Sequence, residues 1–262
     1  NFMKLSIVIP TYNSSKIIQT LVKNIKSNLY KKLNNKFEII FINDCSTDNT
    51  WFLIQKIVKK YSFVKGIDLK KNIGQHAAIF VGLKFSLGEK IILMDDDLQH
   101  PPASLIRIYN KLNNFDACYT LYLKRRHNFW KIIISYINHL FSSFLFNKPY
   151  RIYLSSFKGF TSKVKDEFIR TKQHKIFLDG LILKYSRNIT SIDIIHQKRF
   201  EGDGNYSAKK LFTLWFDMIE NFHFYPLRFG SFIGTISFLI VKLIRIFKKN
   251  NFFTYKIKSK TF

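Results

Sequence analysis

Residues 91–102 read IILMDDDLQHPP, and the assignment of the fold begins with this stretch. Ile91 to Met94 are apolar and complete a short buried strand, and three aspartates follow at once. Adjacent carboxylates repel one another unless a cation or hydrogen-bond donors compensate for their charge. The stretch therefore predicts a strand that ends either in a divalent-metal site or in a solvated acidic turn before the next helix.

The residues on both sides of this stretch alternate between strand and helix patterns. Buried strands are predicted at 5–9, 37–42, 63–69, 90–94 and 115–121. Helices with one apolar face are predicted between them, at 17–29, 53–61, 72–85 and 103–112. Strands that alternate with helices over short connections predict an α/β fold, in which a mainly parallel sheet carries helices on both faces.

The second half of the chain is less regular. Apolar residues at helical spacing occur over 129–146 and again after Ser207, and a further helix is predicted at 162–170. An extended segment is predicted at 150–160 and a strand at 189–196. The sequence contains no internal repeat and no long linker.

Polar residues follow three of the predicted strands at the point where each strand ends. They are Tyr12-Asn13, Asn43-Asp44 and the three aspartates. Ligands of open parallel sheets bind beyond the carboxyl ends of the strands. We therefore expect these side chains to converge on one crevice.

The composition is strongly basic, with 43 Lys and Arg against 17 Asp and Glu and a formal net charge of +26. Such a charge favours anionic partners, which include nucleic acid, anionic lipid and phosphorylated ligands. The basic residues are dispersed and do not cluster with aromatics, so no nucleic-acid partner is expected. The two cysteines, Cys45 and Cys118, predict neither a metal site nor a disulfide framework, and the N-terminal residues lack a signal-peptide pattern.

Four ordered motifs resemble the family 2 glycosyltransferases of the GT-A fold. They read IVIPTYNSS, IIFINDCSTDNT, NIGQHAAIFVGLKFSLGEKIILMDDDLQHPP and HQKRFEGDGNY. The resemblance covers about residues 4 to 225. Within the family the chain looks most like the polyprenyl-phosphate glycosyltransferases, such as dolichyl-phosphate mannose synthase, bactoprenol glucosyltransferase and undecaprenyl-phosphate formamido-arabinose transferase. The resemblance implies a mixed, mainly parallel sheet flanked by helices.

The resemblance also implies roles for residues near a nucleotide-sugar donor. The residues that line the nucleotide pocket are Pro10, Thr11, Tyr12 and Asn13. Asp44 contacts the base and Gln75 lies near the donor. The family more often has Asp-Asp-Gly-Ser-Thr-Asp here, so Asn43 and Cys45 are departures that leave the nucleotide preference open.

In the acidic stretch, the resemblance implies that Asp95 and Asp97 hold Mg²⁺ or Mn²⁺ on the donor diphosphate. Asp96 stands where the family usually has a small residue, and it either faces away or touches the sugar. His100 stands where Asp or Asn is typical. It is either a ligand, a sugar contact or a turn residue before the two prolines.

The acceptor half contains a second basic motif, Arg199 to Tyr206. By the resemblance, Arg199 and Tyr206 close over the donor and acceptor phosphates, and arginine offers paired donors to phosphate oxygens. Lys124, Arg125 and Arg126 are either acceptor-phosphate contacts or a solvated basic turn.

Asp179 is the best positional match to the acidic base that other family 2 enzymes place before a helix. A sugar hydroxyl needs such a base, whereas a lipid phosphate is already anionic. The Asp that bactoprenol-type enzymes carry near Ser156 is missing here. Asp179 is therefore either a catalytic base or a helix N-terminal cap.

These expectations describe an inverting, metal-dependent glycosyltransferase that moves one sugar from a UDP- or GDP-sugar to a polyprenyl phosphate. The alternative is transfer to a hydroxyl of a surface glycan or lipid-linked oligosaccharide. A surface-glycan acceptor is favoured by the missing Asp near Ser156, and a lipid phosphate by Leu98-Gln99, Pro101-Pro102 and the Arg199–Tyr206 motif.

The C-terminal segment raises the question of a membrane. Residues 229–241 are uncharged but too few to span a bilayer, and the basic residues after them suit an interfacial or re-entrant segment. We expect a glycosyltransferase domain over 1–225, with a donor half at 1–123 and an acceptor half at 124–225. Residues 226–262 would associate with lipid at the cytoplasmic face of the cell membrane, and a homo-oligomer is allowed.

Overall fold

The computed structural model describes residues 2–122, 143, 148–149, 151–170, 177–195 and 257–261. The strands are β1 (Leu5–Thr11), β2 (Phe37–Asn43), β3 (Val64–Leu69), β4 (Lys90–Leu93), β5 (Ala117–Tyr122), β6 (Lys158–Thr161), β7 (Ile189–Ile194) and β8 (Ile257–Thr261). The helices are α1 (Ile18–Leu33), α2 (Thr50–Lys60), α3 (Gln75–Lys84), α4 (Ala103–Lys111), α5 (Ser162–Arg170) and α6 (Leu178–Tyr185).

The eight strands form one mixed sheet in the order β7-β5-β6-β4-β1-β2-β3-β8. β1 pairs in parallel with β2 and β4, β2 with β3, and β5 with β7. β6 runs antiparallel between β4 and β5, and β8 runs antiparallel along β3. The carboxyl ends of β1 to β5 and β7 therefore lie at one edge of the sheet, as the α/β prediction requires.

The helices cover both faces of the sheet and bury it on each side. Leu5, Ile7 and Ile9 of β1 belong to a core that includes the apolar residues of α1, α2 and α4. Val8 belongs to a second core with α3 and α6. A strand that is buried on both faces needs apolar side chains on both, so its sequence is a nearly continuous apolar run. This explains the apolar sequence of β1.

Helix α3 lies unusually close to the sheet, because Gly82 has no side chain. A Cβ at this position would come within 2.5 Å of Ile42 Cδ1 and 2.7 Å of Val8 Cγ1. Both distances are shorter than side-chain packing allows. This close contact fixes the helix and with it Gln75, the first residue of α3, at the functional edge.

The described residues of the second half can be compared with their predicted elements. In the segment predicted to be extended at 150–160, residues 158–160 lie in a strand, β6. The helix at 162–170 and the strand beginning at 189 are confirmed as α5 and β7. The short β8 strand was not predicted.

Several predictions fall outside the described residues. They concern most of the helical spacing at 129–146, the helix after Ser207 and residues 226–256 of the predicted membrane-associated segment. Among the helices that the structure describes, none combines the length and the apolar character needed to cross a membrane.

Candidate functional site

The loop after β1 is tied to the loop after β2 through Asn13. The Asn13 side-chain oxygen accepts hydrogen bonds from the Thr47 backbone N–H at 2.9 Å and the Thr47 hydroxyl at 3.3 Å. Its backbone N–H donates to Ser46 Oγ at 3.0 Å. Asn13 has a φ of 54°, a left-handed conformation that asparagine tolerates well. The side chain of Asn13 thus holds one loop against the other.

Two further bonds join the same loops. The Ser14 backbone N–H donates to Thr50 Oγ1 at 2.8 Å, and that of Ser15 donates to Asp48 Oδ2 at 3.2 Å. Sequence reasoning did not single out Thr50 or Asp48. Their role could have been inferred from the short polar residues at the start of α2, because such side chains often accept hydrogen bonds from backbone N–H groups.

The other residues predicted for the nucleotide pocket differ in accessibility. Pro10 and Thr11 are buried in β1, and the Thr11 hydroxyl donates to the Ile42 carbonyl at 3.1 Å. Tyr12 is 52% exposed and presents its ring at the edge of the sheet. Tyr12 is therefore the member of this group that is open to a ligand, whereas Thr11 ties β1 to β2.

Asp44 is buried and organises the turn before α3. Its carboxylate accepts hydrogen bonds from the backbone N–H groups of Ile73 at 2.8 Å and Gly74 at 2.9 Å. Burial raises the pKa of Asp44 above its usual range, and these two bonds partly oppose the rise. Gly74 has a φ of 84°, which a side chain would disfavour. Asp44 therefore shapes the loop that presents Gln75.

A pocket of about 350 Å³ opens beside Asp44 at the ends of β2 and β3. Asn43, Cys45, Trp51 and Asp68 are among the residues that line it. Within it, the Asn43 amide donates to Asp68 Oδ1 at 2.7 Å. The pocket combines an aromatic ring with a buried polar pair, a lining that suits a flat polar ring system.

Asp95 is held at two points in the acidic loop after β4. Gln75 Nε2 donates to Asp95 Oδ1 at 2.6 Å, and His100 Nε2 lies 3.2 Å from Asp95 Oδ2. Burial raises the pKa of Asp95, but hydrogen bonds from His100 and Ser156, together with the nearby charge of Lys158, outweigh it. The pKa therefore lies below its ordinary value of 3.8. Asp95 is thus kept ionised, and its side chain is 24% exposed.

Asp96 points toward the loop after β1 and forms a short hydrogen bond with the Ser14 hydroxyl. Burial raises the pKa of Asp96 to about 6, and repulsion from Asp95 and Asp97 adds to the rise. In this arrangement the carboxylate of Asp96 ties the loop after β4 to the loop after β1, and its predicted contact with the sugar stays a prediction.

Asp97 folds back on its own loop, where its Oδ1 accepts a hydrogen bond from the Gln99 backbone N–H at 3.0 Å. His100 is buried, with 2% of its surface exposed. Its Nδ1 lies 3.1 Å from the Tyr122 hydroxyl, and its ring stacks on Phe157 with centroids 4.7 Å apart. The acidic loop is therefore packed against β5 and the segment before β6.

Asp179 forms a buried, short ion pair with Lys158. The side chains are 13% and 5% exposed, and Asp179 lies in the first turn of α6. The nearby phenol of Tyr119 has a pKa well above its usual range, because it is buried and faces the charge of Asp179. The carboxylate predicted as a base is thus already compensated by a cation.

The acidic loop offers carboxylates that could hold a metal ion. In the part of the chain that the structure describes, no group of three or more His, Cys, Asp or Glu side chains is arranged around a metal position. An ion on a diphosphate needs only one or two protein carboxylates, since phosphate and water oxygens complete its shell. A carboxylate has about four lone-pair sites, so the hydrogen bonds from Gln75, His100 and Ser156 to Asp95 leave acceptor capacity. Asp95 and Asp97 therefore fit a diphosphate-bound divalent ion.

The structure brings together the predicted donor-side residues from the loops after β1, β2, β3 and β4. Arg199, Tyr206 and the basic residues Lys124, Arg125 and Arg126 lie outside the described residues. Lys158 pairs with Asp179, and its charge also acts on Asp95 in the acidic loop. The roles predicted for individual side chains stay predictions.

Comparison with known proteins gives a consistent result. A family model described as glycosyl transferase family 2 matches residues 6–167. The undecaprenyl-phosphate 4-deoxy-4-formamido-L-arabinose transferase of Salmonella choleraesuis is 29% identical over 235 residues, which cover 89% of this chain and 72% of that protein.

Solved structures share the fold at low identity. TarS from S. aureus in complex with UDP-GlcNAc has a TM-score of 0.58 and 21% identity, covering 87% of this chain and 68% of that one. A Pyrobaculum calidifontis mannosyltransferase in complex with GDP-Man and Mn²⁺ has a TM-score of 0.58 and 14% identity, with coverage of 88% and 66%. The chain spans 58% of another TarS structure. These likenesses confirm the predicted fold.

Proposed function

The chain belongs to glycosyl transferase family 2, and from this we propose that it transfers one sugar, with inversion, from a nucleotide-sugar to a polyprenyl phosphate. That the chain is a glycosyltransferase follows from the family. We propose in addition the class of donor, the class of acceptor, the use of a metal ion and the inversion of configuration. The Salmonella relative, named for undecaprenyl phosphate, supports the acceptor class.

The observation that carries the proposal is the buried pair of Asp179 and Lys158. A general base must be free to take a proton from the attacking group. Lys158 occupies one oxygen of Asp179, so that oxygen is not free to take a proton from an attacking group. A phosphate nucleophile needs no base, so this pairing favours a lipid phosphate over a sugar hydroxyl.

On the donor side, Asp95 and Asp97 would hold Mg²⁺ or Mn²⁺. A divalent ion bound there would neutralise the charge that develops on the departing nucleoside diphosphate. The exposed ring of Tyr12 and the pocket beside Asp44 would bind the base. Structures with Mn²⁺ and either UDP or GDP-Man share the fold, so both uracil and guanine remain candidate bases.

For the reaction, the chain's own residues have positioning roles. Gln75 orients the carboxylate of Asp95. Asp44 and Asn13 fix the loops that flank the donor. Arg199 and Tyr206 are proposed to close over the phosphates. Charge stabilisation by oriented groups of this kind supplies much of the acceleration in phosphate-leaving reactions.

We propose the predicted domain limits, with a transferase domain over 1–225 and a membrane-associated segment over 226–262, except that Ile257–Thr261 pairs as β8 with β3 in the transferase sheet. A polyprenyl phosphate resides in a bilayer because its hydrocarbon chain is excluded from water. An enzyme that uses it must work at a membrane surface. We place that surface on the cytoplasmic side, where nucleotide-sugars are made.

The proposal is tested by incubating the purified chain with UDP- and GDP-sugars, Mg²⁺ or Mn²⁺, and polyprenyl phosphate. We expect a glycosylated lipid carrying one sugar, detected by mass spectrometry, with an anomeric configuration opposite to that of the donor. Chelation of the metal should abolish its formation. Transfer to an oligosaccharide hydroxyl with no transfer to the lipid phosphate would refute the proposed acceptor and favour the alternative.

A further inference from the structure

The residue that sets this acidic loop apart is His100. It lies in a loop, yet only 2% of its surface is exposed and its ring stacks on Phe157 at 4.7 Å. Burial of a polar ring is unfavourable unless both nitrogens are hydrogen-bonded. Both are, because Nε2 faces Asp95 and Nδ1 faces the Tyr122 hydroxyl.

The partners of His100 determine which nitrogen carries the proton. Asp95 Oδ2 can only accept a hydrogen bond, so Nε2 must carry a hydrogen and donate it at 3.2 Å. In the neutral ring Nδ1 is then an acceptor, and the Tyr122 hydroxyl donates to it at 3.1 Å. Burial raises the pKa of Tyr122 to about 12, so this hydroxyl keeps its proton. The three residues form one directed chain of hydrogen bonds that ends on Asp95.

Because both of its nitrogens take part in these hydrogen bonds, His100 has no nitrogen left to bind a metal or a sugar. Asp95, by contrast, receives Gln75 on one oxygen and His100 on the other, at 2.6 Å and 3.2 Å. Two donors on opposite oxygens fix the plane of a carboxylate, and with the further hydrogen bond from Ser156 about one lone-pair site still remains for an ion.

We propose that His100 is a positioning residue, which Tyr122 orients and which in turn sets the carboxylate of Asp95 for the divalent ion. The inference rests on the proposed function, because it assumes that Asp95 is a metal ligand. Hydrogen-bond partners of metal ligands typically contribute about 10- to 100-fold in metal affinity. We therefore expect His100 to act on metal affinity first and on turnover through it.

The experiment measures Mn²⁺ affinity directly. Free Mn²⁺ is titrated by electron paramagnetic resonance against the full chain, in the presence of UDP and separately of GDP. His100→Leu keeps a side chain of similar volume but has no donor, and we expect its Kd for Mn²⁺ to rise about 10- to 100-fold. His100→Gln carries an amide nitrogen at a similar reach, and we expect an affinity within about threefold of wild type.

A third variant tests whether the hydrogen bonds run from Tyr122 through His100 to Asp95. Tyr122→Phe removes only the hydroxyl and should weaken Mn²⁺ binding less than His100→Leu, by about two- to tenfold, because the ring stays packed but loses its fixed tautomer. Asp116→Asn is the control, since Asp116 is bound to the backbone of Arg187 and Asn188 away from the acidic loop. Circular dichroism and thermal unfolding verify that each variant is folded.

The outcomes distinguish a failure of the positioning role of His100 from a failure of the proposed function on which it rests. If wild type binds Mn²⁺ with either nucleotide and folded His100→Leu binds it equally well, the positioning role is wrong and the proposed function stands. Equal losses in His100→Leu and His100→Gln would also overturn the role, because the donor would not be what matters. If wild type binds no Mn²⁺ with either nucleotide, the metal role of Asp95 and Asp97 fails first.

Discussion

The pairing of Asp179 with Lys158 gives the sharpest test of the acceptor class. Removing one member of a buried pair leaves an uncompensated charge, which costs about 3–5 kcal/mol. Asp179 retains 13% exposure, so we take the lower end, about 3 kcal/mol, for Lys158→Met. For a chain of this size each kcal/mol lowers Tm by about 2–4 °C, which gives a fall of about 6–12 °C. Differential scanning fluorimetry measures it.

The double variant Lys158→Met with Asp179→Asn removes both charges and should regain stability relative to the sum of the single changes. We expect a coupling free energy of about 1–3 kcal/mol from the full cycle, measured by denaturant unfolding. Additive single effects would contradict the structural role of the pair.

The same variants report on catalysis. Assayed well below its unfolding midpoint, Asp179→Asn should retain lipid-phosphate transfer within about tenfold of wild type. Loss of a general base costs about 10²–10⁴-fold in rate. A loss of that size in folded Asp179→Asn would refute the reasoning, because Asp179 would then act as a base despite Lys158.

Three further predictions concern the donor side and the core. Asp97→Asn should abolish metal-dependent turnover, measured as donor consumption, while nucleotide binding without metal persists in calorimetry; retained metal-dependent turnover would remove its role. Gly82→Ala should destabilise the fold by about 1–3 kcal/mol in urea unfolding, because the added methyl would overlap Ile42 and Val8. The raised pKa of Asp96, about 6, means that the folded state binds its proton more tightly than the unfolded state, so stability falls as pH rises from about 4 to 7. In metal-free buffer, Asp96→Asn should reduce this fall by about 2–3 kcal/mol; an unchanged pH profile of unfolding would show that Asp96 is not responsible.

The fold was largely predictable, because its strands and helices have strong and distinct periods. β1, β2 and β4 are buried on both faces and are mostly apolar, and α1 places its apolar residues on one face. Within the segment predicted to be extended at 150–160, the sequence did not indicate where strand pairing begins, because apolar residues there also fill the core from a loop. Ile152 and Phe157 are buried without belonging to a strand.

The candidate site was predictable as a location, and much less so as a set of contacts. Loops after neighbouring parallel strands must meet, so Asn13, Asp44 and Asp95 could be placed together from strand order alone. The partners of these residues follow from side-chain orientation, which no sequence period encodes. The engagement of Asp44 with the backbone before α3 and the pairing of Asp179 with Lys158 are of this kind.

The acidic loop illustrates why its departures from the family pattern have structural consequences. Residues 94–102 form no helix or strand, and Leu98 has a φ of 59°. Repetitive backbone hydrogen bonds therefore do not hold this loop, and side chains must. Asp96 ties it to the loop after β1 through Ser14, and His100 ties it to β5 through Tyr122. Asp96 and His100 are also the two residues at which this loop differs from the family pattern that the sequence resembles. The position of Asp95 between them is consequently a property of this chain's own side chains, and variants at Asp96 and His100 should alter the metal site without touching a metal ligand.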